Sequence, residues 1–340
     1  MVKGFIQRRN ELVRKPMRAT CLLLLSALSW GQAPAANQDQ KPDDSQPITT
    51  LKVAARVVEI SAVVKSKGGE PEGGLTKDDF ILKQDGKVQP VRYFSQGSDL
   101  PLTLALMVDT SGSQRTFVSD EALASDVFFE TMMGRTQDRA MLVQFDTNVL
   151  QLQRLTNSPN VLHLALSRLS SHAATTGGTL LNDAVYSVAK DVLAKETGRK
   201  AMVILTDGGD NGSRRSLAEA IEQAQRGDVQ IYSILYSLRN EAAKFGVGPG
   251  GGAIGPTTPD PGLQILQRLS EATGGRVFTV TPALGLREIF AQIGQDLRLQ
   301  YALGYTPPAD TQPNSYHKLE LKTKNSKLTV QSRKGFFAQP

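Results

Sequence analysis

Between Pro101 and about Arg298 the chain alternates apolar runs with amphipathic helical stretches, and that alternation most restricts the folds open to it. The apolar runs are Leu102–Val108, Ala140–Phe145, Met202–Thr206, Val229–Tyr236 and Arg276–Val280. A strand that is apolar on successive residues has to be buried on both faces, which a parallel sheet sandwiched between helices provides. In the last helical stretch Leu286, Ile289, Phe290, Ile293 and Leu297 recur with a 3.6-residue period on one side. The expectation is an α/β domain over residues 99–298: a doubly wound, mostly parallel sheet with helices on both faces.

The flanks read differently. Over residues 51–97 the pattern has period two, with Val53, Ala55, Val57 and Glu59 on one face and Ala54, Val58, Ile60 and Ala62 on the other. Phe80-Ile81-Leu82, then Asp85-Gly86, then Val88 to Phe94 predict a hairpin closed by a type I′ turn. β patterning returns after the last helix, at Tyr301–Tyr305, Lys318–Lys322 and Leu328–Val330, and predicts three strands. Neither flank is large enough to be stable alone. The simplest solution is that 51–98 and 299–340 together form one small β-sandwich, with the α/β domain inserted between them.

Residues 1–36 read as a secretory signal: basic residues, an apolar core Cys21–Leu28, then small residues at Ala33-Pro34-Ala35. The apolar core is too short to span a bilayer as a stable helix. Its basic region is long, and Met17 would make a more ordinary start than Met1. Residues 37–50 are polar and Pro-rich, the composition of a disordered linker. Residues 1–35 hold Lys3, Arg8, Arg9, Arg14, Lys15 and Arg18 against Glu11, a net of +5, so of the chain's +6 the mature protein keeps about +1. The basicity therefore gives no ground for a nucleic-acid partner. Cys21, the single cysteine, lies in this segment, which excludes disulfide and thiol chemistry in the mature protein. A secreted or periplasmic protein is expected, with no membrane span after removal of the signal.

Directly after the first apolar run comes Asp109-Thr110-Ser111-Gly112-Ser113, a carboxylate followed by hydroxyls at alternate positions. The carboxyl ends of strands in open α/β sheets are where ligands bind, and such oxygens suit a hard divalent cation. The same residues could instead cap the helix that follows. Two further segments join them in chain order: Thr176-Gly177-Gly178-Thr179 at the start of a helix, and Thr206-Asp207-Gly208 at the end of a later apolar run. In this combination the chain resembles the von Willebrand factor A domain family. The flanks are similar to those of bacterial secreted proteins with a related domain, in Gly74–Lys87 (GLTKDDFILKQDGK) and in the tail from Leu303 to Phe337.

The resemblance implies a metal-ion-dependent adhesion site made of Asp109, Ser111, Ser113, Thr179 and Asp207. The serine hydroxyls would bind Mg²⁺ directly, and the other three directly or through water. Mn²⁺ or Ca²⁺ would suit the same oxygens. Only two of the five residues carry formal charge, so the ion would seek a further anionic ligand, such as a carboxylate on a protein or surface partner. Asp183 reads as an acid complementing the dipole of its helix, Asp210 and Asn211 as turn residues, and Gly246–Gly262 as a solvated Gly/Pro-rich loop. With only His163, His172 and His317 present, a zinc site is not expected.

These readings point to a non-enzymatic, metal-dependent binding or adhesion module. The alternatives are an Mg²⁺-dependent hydrolase, for which His172 would be the general base, and an envelope scaffold with a vestigial site. The resemblance further implies that the last helix can slide when the metal site changes ligand, biasing the angle between the domains.

Overall fold

The computed structural model describes residues 57–97, 100–114, 118–133, 135–169, 177–236 and 260–338. The expected signal segment, the linker, Thr176, His172 and most of the Gly/Pro-rich stretch lie outside them. The strands are β1 (Val58–Lys65), β2 (Phe80–Gln84), β3 (Lys87–Gln89), β4 (Tyr93–Gln96), β5 (Leu102–Asp109), β6 (Arg139–Phe145), β7 (Val149–Thr156), β8 (Arg199–Thr206), β9 (Val229–Leu235), β10 (Val277–Thr279), β11 (Tyr301–Tyr305), β12 (Tyr316–Thr323), β13 (Thr329–Ser332) and β14 (Gly335–Phe337). The α-helices among the described residues are α1 (Val118–Met132), α2 (Pro159–Leu166), α3 (Leu181–Ser187), α4 (Leu217–Arg226), α5 (Pro261–Thr273) and α6 (Leu286–Arg298).

The central sheet has the order β10-β9-β8-β5-β6-β7. β10, β9, β8, β5 and β6 run parallel to one another, and β7 is an antiparallel edge strand returning along β6. Alternation of side chains along β5 divides the core in two. Leu102, Leu104, Leu106 and Val108 pack with Phe128 and Met132 of α1, Leu162 of α2 and Ile289, Phe290 and Ile293 of α6. Ala105 and Met107 face the other way, toward Leu181 and Val185 of α3, Ala220 of α4 and Leu266 of α5. Both faces are thus covered, which is why every residue of β5 is buried. The chain leaves β5 toward β6 and later places β8 on β5's other side. The carboxyl ends of β5 and β8 therefore flank the point where strand order reverses, the crevice that such sheets use for ligands.

The flanking segments interleave in two four-stranded antiparallel sheets, β13-β1-β11-β4 and β14-β12-β2-β3. Each sheet mixes strands from before and after the α/β domain. One core unites them: Val58, Ile60, Phe80 and Leu82 from the first flank with Tyr301, Leu303, Tyr305, Leu319 and Leu321 from the second. The hairpin of β2 and β3 turns at Asp85 and Gly86, both with positive φ (50° and 82°), the backbone a type I′ turn requires. The second flank holds four strands rather than the three expected: β14 is a short strand pairing with the beginning of β12. The alternation read for the first flank holds over its described part, with Val58, Ile60 and Ala62 buried and Val57 and Glu59 exposed. From Ala62 to Lys65 the strand is buried throughout.

Lys65 bonds Asp296 of α6 at 2.7 Å, and Arg276 reaches the other oxygen of the same carboxylate at 2.9 Å. Burial pulls the Lys65 ammonium below its usual value, while Asp296 works in the opposite direction. Gln300, between α6 and β11, donates to Gln230 of β9 at 2.6 Å. A cavity of about 300 Å³ lies at the amino ends of β8 and β9, lined by Glu59, Lys200, Asp228 and Arg333 among others. It is at the edge of the sheet opposite to Asp109. Among the described residues no helix is long and apolar enough to cross a membrane.

Candidate metal centre

Asp109 ends β5 and is fully buried. One carboxylate oxygen accepts the backbone N–H of Ser111 at 2.9 Å, and the other accepts the Thr206 hydroxyl, from the end of the neighbouring strand, at 2.6 Å. The Thr206 hydroxyl also accepts the N–H of Gly208 at 3.1 Å, so one side chain positions both Asp109 and the turn that carries Asp207. Ser111 and Ser113 bring their hydroxyls within 3.3 Å of each other, with Ser111 buried and Ser113 exposed. The N–H of Gln114 closes the turn on the carbonyl of Ser111 at 2.9 Å. These contacts shape the pentapeptide as a compact turn at the end of the strand.

Thr179 reaches this edge through its backbone. Its N–H and C=O exchange hydrogen bonds with Asn211 at 3.0 and 2.9 Å, in the loop after β8, and the next N–H, of Leu180, bonds the carbonyl of Asp146 at 2.8 Å. Asp146 in turn accepts the hydroxyl of Thr110 at 3.2 Å. The loops bearing Asp109, Thr179 and Asp207 are thereby tied to one another. Gly178 fits closely here, since a Cβ would lie 3.1 Å from the carbonyl of Asn211.

Asp207 is partly exposed, and one of its oxygens accepts the N–H of Gly209 at 3.0 Å. Gly208 has φ of +80°, and Gly262 presses on the same turn: a Cβ on Gly262 would come within 1.9 Å of the Asp207 carbonyl. Pro261 and Gly262 are the first residues of α5, capped by Asp260, rather than the end of a solvated loop. The sequence reading ran its loop through to Gly262 and so missed this contact, although Asp260-Pro261 is the capping acid and first-turn proline that mark a helix start.

Asp183 lies in the first turn of α3. Its carboxylate accepts the N–H groups of Arg214 and Arg215, at 3.1 and 2.8 Å, which holds the loop before α4. Asp210 accepts the N–H of Asn182 and the hydroxyl of Ser213. Both acids are engaged in building the loops.

Burial pushes the Asp109 carboxyl up to about 6, and the charge of Asp207 adds to that against the hydrogen bonds from Thr206 and Ser111. A second buried acid, Glu121 of α1, is pushed well above its ordinary range by burial and by the charges of Asp109, Asp120 and Asp207. Nothing in the sequence marked it, because a Glu in the first turn of a helix ordinarily complements the dipole. No Lys, Arg or His pairs with Asp109, Glu121 or Asp207 among the described residues. The donor set is all hard oxygen and lacks a protein cation, and both features fit a divalent metal. No group of three or more His, Cys, Asp or Glu side chains is gathered for a metal among the described residues. An ion at this edge would depend on hydroxyl and water oxygens besides its carboxylates.

The family model of the von Willebrand factor type A domain matches residues 103–292, more than half of the chain. The chain belongs to that family. The matched range runs from β5 into α6 and contains every residue of the candidate centre. A search of curated proteins finds no match. Among solved structures, the family member is similar to the conserved hypothetical protein BatB from Bacteroides thetaiotaomicron, with 14% identity and a TM-score of 0.43 over 58% of this chain and 97% of that one. It is similar at the same identity and TM-score to the vWF domain of the type V pili tip protein Mfa5 from Porphyromonas gingivalis, over 58% and 95% of the two chains. The pilus adhesin SpaC from Lactobacillus rhamnosus GG, in its open conformation, aligns at 10% identity and a TM-score of 0.43 over 76% of this chain and 47% of its own.

Proposed function

We propose that this protein is a binding module that captures an acidic group of a protein or surface partner through a divalent cation. Asp109, Ser111, Ser113, Thr179 and Asp207 would hold the ion, with Mg²⁺ as the resident metal and Mn²⁺ or Ca²⁺ as substitutes. The observation that carries this reading is Asp109: a fully buried carboxylate at the switch point of the sheet, beside two hydroxyls, with no cationic side chain paired to it among the described residues. A bound cation would supply the missing charge and bring its own affinity for a partner's carboxylate. Binding is preferred to hydrolysis as the reading here because capture of a partner's carboxylate needs nothing beyond the ion and its candidate ligands, whereas hydrolysis also needs a positioned general base. The protein would act in the periplasm or outside the cell after loss of residues 1–36.

Calorimetric titration of Mg²⁺ and Mn²⁺ tests the metal. Saturable binding by the wild type and its loss in Asp109→Ala are expected. Equal heats from the two proteins would sink the reading. Capture of a partner from native envelope extract with Mg²⁺, and its release by chelator, would then define the ligand.

A further inference from the structure

Among the described residues, five buried polar atoms between Gln114 and Ser125 have no hydrogen-bond partner: both amide atoms of Gln114, both carboxyl oxygens of Glu121 and the hydroxyl of Ser125. All three residues are fully buried. Gln114 directly follows the candidate ligand Ser113, and Glu121 and Ser125 are one helical turn apart on the same side of α1. An unsatisfied buried polar group costs about 1–3 kcal/mol, and more when charged. Such groups are rare in native proteins and mark stored strain, a functional role or a water or ion that supplies the missing bonds. A neutral Glu121 would still lack an acceptor for its own proton, so protonation does not remove the problem.

Position suggests the supplier. The charges of Asp109 and Asp207 both act on Glu121. Yet the three carboxylates are not gathered closely enough to bind one ion directly. A magnesium-type ion retains several of its waters, and those waters carry the protons that Glu121 lacks. Building on the metal reading above, we infer that Glu121 is a positioning residue of the metal centre, accepting hydrogen bonds from the ion's hydration shell, with Gln114 and Ser125 engaged by the waters that follow. The role is indirect, and it distinguishes Glu121 from the five residues expected to ligate.

Mn²⁺ titration of the wild type, Glu121→Gln and Glu121→Asp tests this. Loss of such an outer partner ordinarily weakens metal binding about 10- to 100-fold, and that loss is expected for Glu121→Gln. Glu121→Asp, which keeps the carboxylate, should recover part of it. The metal-free melting temperature of Glu121→Gln should stay equal to the wild type's or rise, since the variant removes an uncompensated buried acid. Proton couplings of the Mn²⁺ hydration shell, read by electron–nuclear double resonance, should change between wild type and variant. Mn²⁺ affinity within twofold of the wild type in both variants overturns the inference and leaves the metal site standing. A fall in affinity matched by a fall in metal-free stability also overturns it, by making Glu121 a packing residue. A wild type that does not bind Mn²⁺ removes the metal reading and this inference together.

Discussion

Asp109 is buried, accepts hydrogen bonds from Thr206 and Ser111, and feels the charge of Asp207. Its carboxyl is raised from 3.8 to about 6 in the folded protein. The folded state therefore holds this proton more tightly than the unfolded chain does. The stabilisation is complete below about pH 4 and is lost as pH rises through about 6, worth at most about 3 kcal/mol. Metal-free Asp109→Asn should accordingly be more stable than the wild type at pH 8, by about 1–3 kcal/mol, and should lose the pH dependence between 4 and 6. Denaturant titrations in chelator at several pH values measure both. A variant less stable than the wild type at pH 8 would show that the Thr206 and Ser111 bonds need the charge. At this scale the sequence offered the candidate hydroxyls and carboxylates as a set only through the resemblance to a family, since a carboxylate and two serines after a strand could equally cap a helix. Thr206 and Glu121 were not. A threonine ending a strand and a glutamate opening a helix are ordinary in those places, and only the fold brings them toward Asp109.

Among the elements, the ones the sequence marked clearly are those whose two faces have unequal environments or whose turns need special backbone. β5 is apolar throughout because helices cover both sides, α6 has a strict 3.6 period because one side meets the sheet, and Asp85-Gly86 supplies the positive φ of its turn. β7 escaped because it is a sheet edge, half-exposed and rich in Gln, so its residues need not alternate cleanly. β14 escaped because it is short. Its Phe336 joins the sandwich core, but its remaining bonds come from β12. The join of β1 to α6 was also out of reach. Nothing in the sequence pairs Lys65 with Asp296. Removing one member of a buried ion cluster leaves the others uncompensated, commonly at about 3–5 kcal/mol. Asp296→Ala, which abandons both Lys65 and Arg276, should lose that much in urea denaturation. Lys65→Met should lose less, because Arg276 still balances the carboxylate. An Asp296→Ala loss below about 1 kcal/mol would mean that water reaches these cations and that the cluster contributes little.

At the scale of the whole described chain, the sandwich and the α/β domain are linked by more than sequence. α6 ends one residue before Leu299 and Gln300 lead into β11, and Asp296 on that helix grips β1. β11 lies between β1 and β4, and β12 between β14 and β2, so removing the second flank takes the central partner from both sheets. A chain truncated after Arg298 would leave β1 and β4 without neighbours and β2–β3 as a lone hairpin, which is marginal in water. Ile60, Phe80 and Leu82 would then lose the Tyr301, Leu303 and Leu319 side chains that cover them. The α/β domain would keep its own sheet and both halves of its core, since these draw on residues from β5 to α6. The truncated protein is therefore expected to keep helical circular dichroism and metal binding, to bind a hydrophobic dye, and to be cleaved rapidly by protease within residues 57–97. Protection of that segment equal to the full chain's would show that the first flank folds without the second. Loss of metal binding in a still-helical truncation would instead show that the sandwich, through α6, holds the far edge of the sheet in the shape the ion needs.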